Sequence, residues 1–216
     1  PEEFSLLDEG IVEKIALAYK RKVWVKEVLR IEKRYPDPRR WQSPIEVHLR
    51  FRRPIAFIEL SGRFYLVDGE GIRLPGVYDR PRLGAEEMFV ITGVRTRPPG
   101  PGRKWDAKSL RCGLTVASAL RSRRVPFRLA RIDVGNIGGR RDARLSEIAV
   151  YTGQDTRIDW GKPPSRRADI LDKPLADKIA YLDYVYRQFG GRIDDDLVYV
   201  DIPNETVRRR PSPFVY

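Results

Sequence analysis

Residues 45–76 read IEVHLRFRRPIAFIELSGRFYLVDGEGIRLPG, and this stretch decides the fold class. From Ile45 to Phe51, apolar and polar residues alternate with the period of two that is typical of a half-buried strand, which places Phe51 on the apolar face. Pro54 has no N–H to donate to a ladder, so this strand should end or shift there. Short extended runs follow on either side of Ser61-Gly62, and the stretch therefore predicts strands joined by short turns.

The run Asp68-Gly-Glu-Gly71 could be a ligand loop or the bend of a hairpin. Glycines at these places supply the positive φ that a tight hairpin requires. A calcium loop would need further oxygen ligands at fixed steps and a closing glutamate, and the sequence lacks them. We interpret the run as a hairpin turn that needs no ligand.

The rest of the chain predicts more strands and three helices. One helix should begin at Ser5, a capping-box residue, and end near Lys22. Long helices are expected over about 107–122 and 174–189, the second capped by Asp172 and ended by Gly190-Gly191. The further predicted strands are the second half of 23–34, and 72–74, 88–94, 127–134, 147–151, 156–160 and 198–202.

This order of elements indicates an α+β fold with a mostly antiparallel sheet. We expect a partial helix–strand–strand unit over 1–60 and a β-sheet domain with two long helices over 61–210. A C-terminal tail would follow over 211–216. The boundary is placed at Ser61-Gly62 because this pair separates the first unit from the next hairpin.

Composition indicates a folded protein, and its basic clusters can be explained by solvated faces or by an anionic partner. Of the 216 residues, 33% are charged, and the net charge of +12 comes mainly from arginine. Such a balance favours nucleic acid, an anionic membrane surface or an acidic protein as partner. No apolar run approaches the roughly 18 residues of a membrane span. Because the chain begins at Pro1 rather than Met, we interpret it as a fragment of a longer protein.

No catalytic constellation is apparent, so we expect no enzyme and no catalytic, cofactor or metal site. His48 is the single histidine and Cys112 the single cysteine, which excludes multi-histidine and cysteine-based zinc sites. The run GNIGG at 135–139 is followed by no helix signal, which favours a turn over a nucleotide cradle. The acids at 194–196 are interpreted as a solvated loop.

Five runs, in order, resemble the FtsQ/DivIB cell-division proteins. VWVKEVLRIEKRYP (23–36) and PIEVHLRFRRPIAFIE (44–59) are similar to the second half of that family's POTRA module. FYLVDGEGIRLP (64–75) is similar to the hairpin that opens its second domain. TGQDTRIDWGKP (152–163) and LADKIAYLDYVYRQFGGRIDDDLVYVDIPNETVRRR (175–210) resemble its later strands and last helix. The series covers nearly the whole chain.

The chain departs from the family pattern at two places. The first strand and first helix of the POTRA module are absent, as is the membrane-spanning helix before them. Pro203 stands where the family often has arginine, so the strand before it should be bent or shortened.

The resemblance implies a non-enzymatic scaffold of the bacterial division machinery, the divisome, which acts at the septum. It implies a single-pass protein of the cell inner membrane, with this part on the periplasmic side. It implies partners of the FtsB/FtsL type, which are small bitopic coiled-coil division proteins, and no specific nucleic acid. A partner strand would add to the last strand of the second domain, which corresponds here to Asn204, Glu205, Thr206, Val207, Arg208, Arg209 and Arg210.

Two other functions stay open from the residues themselves. The net charge of +12 also suits a basic module that binds nucleic acid or another anionic polymer, with strong salt dependence. The third hypothesis is an enzyme, although no set of catalytic residues supports it.

Overall fold

The computed structural model describes residues 10–33, 45–81, 88–123, 127–163 and 172–211. The chain divides into two compact units, Pro1–Arg53 and Pro54–Tyr216. The first unit contains α1 (Ile11–Lys20), β1 (Val25–Lys33) and β2 (Ile45–Phe51), and the two strands pair antiparallel. The helix–strand–strand order is therefore as the sequence predicts.

One prediction for the first unit is wrong, and another concerns a residue outside the described ranges. Phe51 is 57% exposed rather than inward-facing. It pairs with Val25 at the end of the sheet, next to a register shift that disturbs the alternation. The predicted cap Ser5 lies outside the described residues, and α1 begins after Gly10, whose φ is +79°.

The second unit is an eight-stranded sheet with helices. Its elements are β3 (Pro54–Leu60), β4 (Arg63–Asp68), β5 (Phe89–Thr92), α2 (Lys108–Arg123), β6 (Leu129–Asp133), β7 (Ile148–Thr152), β8 (Arg157–Gly161), α3 (Leu175–Gln188), α4 (Ile193–Asp196), β9 (Leu197–Asp201) and β10 (Thr206–Arg209). The strands lie in the order β10-β9-β8-β7-β6-β5-β3-β4. The pairs β3–β5, β5–β6 and β8–β9 are parallel and the other four are antiparallel, so the sheet is mostly antiparallel, as expected.

The boundary between the units falls before Pro54 rather than after Leu60. Residues 54–60 form β3, which pairs with both β4 and β5 inside the large sheet. Ser61 and Gly62 both have positive φ and form the turn of the β3–β4 hairpin. The signal that we interpreted as a linker is thus a tight turn within one domain.

One face of the large sheet carries an apolar row that runs across it in register. The row consists of Ile58, Ile91, Ile132, Val150, Ile158, Val200 and Val207. All of these except Val207 are at most 1% exposed. They share a core with buried residues of α2 and α3, including Leu110, Leu114 and Leu182. Burial of such side chains contributes about 1.5–3 kcal/mol each, which fixes this face toward the helices.

The hairpin turn at Asp68 has the structure that its glycines predict. Asp68 Oδ1 accepts hydrogen bonds from the N–H groups of Glu70 (3.0 Å) and Ile72 (2.9 Å). Gly71 has a φ of +77° and donates its N–H to the Asp68 carbonyl. The side chain of Asp68 organises the turn itself. The predicted strand over 72–74 is reduced to isolated bridges.

Around α3, two predictions are wrong. Asp172 does not cap the helix, whose N-cap residue is Pro174 with no side-chain cap hydrogen bond. Instead, the Asp172 carboxylate accepts a hydrogen bond from Lys178 Nζ at 2.6 Å. The acids at 194–196 belong to the short helix α4 rather than a loop, because the preceding Ile193 is buried and holds the segment against the core.

Candidate partner-binding edge of the sheet

The residues predicted to bind a partner lie at one end of the large sheet. Thr206 to Arg209 form β10, which pairs with β9 and has no second neighbour among the described strands. Asn204 and Glu205 belong to the β9–β10 turn, and Arg210 follows the strand. The segment that the resemblance implied thus contains an edge strand and its flanking turn.

Backbone hydrogen bonds indicate which groups of β10 point outward. The N–H of Arg210 donates to the Asp196 carbonyl at 2.8 Å, on the β9 side. Because successive residues of a strand alternate in direction, Arg208 and Thr206 also turn toward β9. Val207 and Arg209 therefore direct their N–H and C=O groups away from the sheet, where an added strand would pair with them.

The neighbouring strand gives the same result independently. Ile202, just after β9, donates its N–H to the Asp159 carbonyl of β8 at 3.1 Å. By alternation, Val200 also turns toward β8 and not toward β10. Val200 lies opposite Val207. This pair is thus not bridged by backbone hydrogen bonds, which leaves the Val207 N–H directed outward.

Side chains of β10 alternate between the two faces of the sheet. Val207 packs on the hydrophobic core, and the Arg209 guanidinium lies 5.3 Å from the centre of the Phe189 ring at the end of α3. On the other face, the Arg208 guanidinium lies 5.9 Å from the Tyr199 ring of β9. The three arginines of the edge therefore do not form one patch, since neighbouring members point to opposite faces.

The β9–β10 turn is fixed by side-chain contacts. Asn204 donates its backbone N–H to Asp201 Oδ1 and its side-chain N–H to Asp201 Oδ2, each at 3.0 Å. Glu205 has a φ of +53° and its carboxylate pairs with Lys173. Pro203 lies inside this turn, after the end of β9 at Asp201, and β9 keeps five residues, the length predicted for the strand over 198–202. Its missing N–H is therefore not on the edge.

A buried ion pair supports the turn from the helix side. Lys178 on α3 is 2% exposed and pairs with Asp172. The side chain of Asp172 is itself only 10% exposed. Burial lowers the pKa of Lys178, and the hydrogen bond and charge of Asp172 partly offset this. A Cβ added to Gly161 would lie 2.7 Å from the Asp172 carboxylate and 3.1 Å from Pro203. The pair and the turn are thus packed closely around this glycine.

Arginine and tyrosine alternate in register across the sheet face opposite the helices. We call this row the Arg–Tyr ladder, and it consists of Arg131, Tyr151, Arg157, Tyr199 and Arg208 on β6 to β10. The Arg131 guanidinium lies 4.0 Å from the Tyr151 ring centre. Arg208, the last residue of the ladder, lies on the edge strand β10. It therefore belongs both to this face of the sheet and to the candidate partner-binding edge.

Carboxylates accompany the interior of the ladder. Arg131 pairs with Asp155 and Arg157 with Asp159, each at 2.8 Å. The Tyr199 hydroxyl lies 2.8 Å from Asp159 and 3.0 Å from Asp201. Burial and then these carboxylates raise the pKa of Tyr199, so the phenol stays protonated as a donor.

The Arg157 guanidinium keeps its charge within this network. Burial alone would lower the pKa of Arg157, but the hydrogen bond and charge of Asp159 outweigh burial and raise it. A negative charge accompanies both Arg131 and Arg157, and this limits the attraction of the face for polyanions.

One group of possible metal ligands occurs among the described residues, in the first unit. Ligand atoms of Glu32, Glu46 and His48 lie within 4.8 Å of one another. Glu32 and Glu46 are directly opposite across β1 and β2. Arg30 pairs with Glu32, and His48 Nε2 lies 3.0 Å from a Glu46 carboxylate oxygen. The Arg30 guanidinium therefore compensates the charge of Glu32, and the imidazole of His48 lies beside Glu46.

The chain matches no family model and no curated protein sequence. The resemblance to the FtsQ/DivIB family therefore rests on the ordered motifs alone. Within the part of the chain that the structure describes, no helix is long and apolar enough to span a membrane.

Sequence reasoning missed the Arg–Tyr ladder and the buried Lys178. Arg131, Arg157 and Arg208 each stand next to an apolar residue of their strand, which is a usable signal for the polar face. The alignment of the five residues depends on strand register, which the sequence does not display. Lys178 lies on the buried stripe of α3, where a lysine would have been a signal for a buried partner.

Proposed function

We propose that this chain is the periplasmic part of a non-enzymatic division scaffold of the FtsQ/DivIB type. It binds its partner by accepting a strand at β10. A single membrane span before this part holds the protein in the cell inner membrane. The partners are small single-span coiled-coil division proteins, and their periplasmic segments supply the added strand.

The edge of β10 is the observation that carries this proposal. Val207 and Arg209 direct backbone donors and acceptors outward, which is the requirement for β-augmentation. Val207 is anchored in the core and the adjoining turn is fixed by Asp201. A rigid, preformed edge reduces the ordering cost that binding must overcome.

A basic module for an anionic polymer has less support. The charge of +12 favours it, and the alternation of arginine and tyrosine on one sheet face is a pattern that single-stranded nucleic acid can use. However, carboxylates pair with Arg131 and Arg157 inside that face, and they would repel phosphates. Binding of this kind would weaken steeply with salt, whereas strand addition would weaken modestly.

Proline substitutions at neighbouring positions test the edge. Val207→Pro removes an outward N–H and no ladder bond, so the protein should stay folded and lose partner binding. Arg208→Pro is the matched control, since it removes an N–H that faces β9 and should destabilise the strand itself. Binding is measured by calorimetry against the periplasmic segments of the small coiled-coil division proteins of the same organism, and folding is measured by urea denaturation.

The two results separate edge pairing from general damage. The expected outcome for Val207→Pro is loss of binding by at least about tenfold, which corresponds to about 1.4 kcal/mol, with little change in the denaturation midpoint. Unchanged binding of folded Val207→Pro would overturn the proposed edge. Val207→Ala serves to separate the loss of the side chain from the loss of the N–H.

A further inference from the structure

The interior of the Arg–Tyr ladder contains one arginine, Arg157. It has a tyrosine directly opposite on each neighbouring strand, Tyr151 on β7 and Tyr199 on β9. Its carboxylate partner, Asp159, comes from two residues along its own strand. At the far end of the ladder, Arg131 has Tyr151 opposite on one side and Val90 of β5 on the other, so each ladder arginine has a tyrosine opposite it on at least one side.

Arg208, at the end of the ladder, has a tyrosine opposite it on one side only. Tyr199 lies opposite it on β9, with the guanidinium 5.9 Å from the ring centre. On its other side is the open edge of β10, where the described residues supply no strand. Its same-face neighbours on β10 and just beyond are Thr206 and Arg210, and neither supplies a negative charge.

We propose that the strand added to β10 places an aromatic side chain directly opposite Arg208 and so extends the ladder by one member. This inference rests on the proposed function, because it assumes that β10 accepts a strand. The partner is thereby specified by chemistry: an extended peptide with tyrosine, phenylalanine or tryptophan at the position facing Arg208.

The edge geometry favours close contact at this position. Arg208 directs its N–H toward β9, so an incoming antiparallel strand meets it at a non-hydrogen-bonded pair. At such pairs the Cα atoms are about 4.5 Å apart and the side chains approach most closely. An arginine over an aromatic ring contributes about 0.5–1 kcal/mol at an exposed site, which is equivalent to about two- to fivefold in affinity.

A selection with displayed peptides tests the inference on the full chain. The probe is a phage-displayed library of random peptides of about nine residues, within the usual length of strands. Selection is carried out in parallel on the parent chain, on Val207→Pro and on Arg208→Met. Methionine keeps a long flexible side chain and removes the guanidinium, so it is the matched control for general attraction of aromatic residues.

Peptides that bind the parent but not Val207→Pro are edge binders. Among them we expect an aromatic residue to be enriched at one position, and this enrichment should disappear in selection on Arg208→Met. Replacement of that aromatic residue by leucine should cost about two- to fivefold in affinity for the parent and nothing for Arg208→Met.

Two failures are distinguishable. If no selected peptide depends on the Val207 N–H, the proposed edge function fails. If edge binders are found but show no aromatic preference, prefer an acid at that position, or keep the aromatic preference on Arg208→Met, the inference about Arg208 is wrong while the edge function stands.

Discussion

The two ends of the eight-stranded sheet differ in how their backbone groups are used. At one end, β4 is followed by residues 71–78, which fold back along its outer side. Phe64 exchanges both backbone hydrogen bonds with Tyr78, at 2.8 and 3.0 Å, and the Leu66 carbonyl accepts the N–H of Leu74. At the other end, β10 directs the groups of Val207 and Arg209 outward.

The difference explains why one edge is a candidate site and the other is not. The segment over β4 buries Leu74 completely and hydrogen-bonds outward groups of Phe64, Leu66 and Asp68, so a new strand would first have to displace it. At β10 no described segment does this, and exposed arginines provide the charge that protects an open edge from indiscriminate pairing. Because the chain covers the edge at β4, the open edge at β10 is not simply what every end of a sheet must be.

The largest expected effect comes from the ion pair that supports the open edge. Asp172→Ala leaves the Lys178 ammonium buried without its partner and should destabilise the protein by about 3–5 kcal/mol. Urea denaturation measures the loss. Hydrogen exchange should accelerate more at the Arg208 amide, on the strand that follows the supported turn, than at the Leu74 amide of the covered edge.

The control for this prediction removes both charges. The double variant Asp172→Ala with Lys178→Met should recover most of the lost stability, since a buried pair can be replaced by apolar groups at little cost. A double variant as unstable as Asp172→Ala would contradict this account of the pair.

The covered edge should open when its turn is broken. Asp68→Ala leaves the N–H groups of Glu70 and Ile72 without their acceptor and should cost about 2–4 kcal/mol. The amides of Phe64 and Leu74 should then exchange faster, while that of Arg208 is affected less. Both bonds end on Oδ1, so Asp68→Asn keeps the acceptor and should retain much of the stability. Equal losses in the two variants would mean that another contact of Asp68 dominates.

Alkaline pH should change stability through Lys178 and Tyr199, whose contributions have opposite signs. Lys178 has a lowered pKa when folded, so the unfolded chain binds a proton that the folded chain lacks, and its contribution rises with pH up to about 10.5. Tyr199 has a raised pKa when folded, so its contribution is present below about pH 10 and is lost above it. Denaturation from pH 8 to 11 in the parent, Lys178→Met and Tyr199→Phe should separate the two slopes; identical pH profiles in all three proteins would refute both assignments.

Charge reversal at the open edge should produce the smallest effect. Glutamate at Arg208, Arg209 and Arg210 should slow association with an acidic partner by about tenfold at low salt. Little should remain at physiological salt, where the Debye length is about 8 Å. Stopped-flow association at two salt concentrations measures this. The matched control reverses three exposed arginines elsewhere in the unit, Arg95, Arg97 and Arg103. Equal slowing in both variants would indicate attraction to the whole molecule rather than to this edge.

Local signals in the sequence predicted the elements and the turns. Period-two alternation located β2, apolar stripes located α2 and α3 within about two residues, and the glycines after Asp68 indicated a hairpin turn. These predictions succeeded because each depends on residues a few positions apart, where side-chain direction and backbone freedom are determined locally.

Predictions that depended on distant neighbours were less accurate. Ser61-Gly62 has the composition of a linker and of a hairpin turn alike, and only the pairing of β3 with β5 distinguishes the two. Asp172 has the position of a helix cap, but a buried lysine one turn into α3 binds its carboxylate instead. A buried ammonium requires a partner more strongly than a helix N-terminus does, so the ion pair formed in place of the cap.

The sequence by itself determined that this is an α+β chain, and its motifs suggested that residues 204–210 lie at an edge. The tertiary structure decided the order of the strands, which edge is covered, and that Arg131, Tyr151, Arg157, Tyr199 and Arg208 form one row. Register caused this difference, because a shift of one residue moves every side chain of a strand to the other face. That register is set by the burial of the apolar row from Ile58 to Val207, which no local stretch of sequence contains.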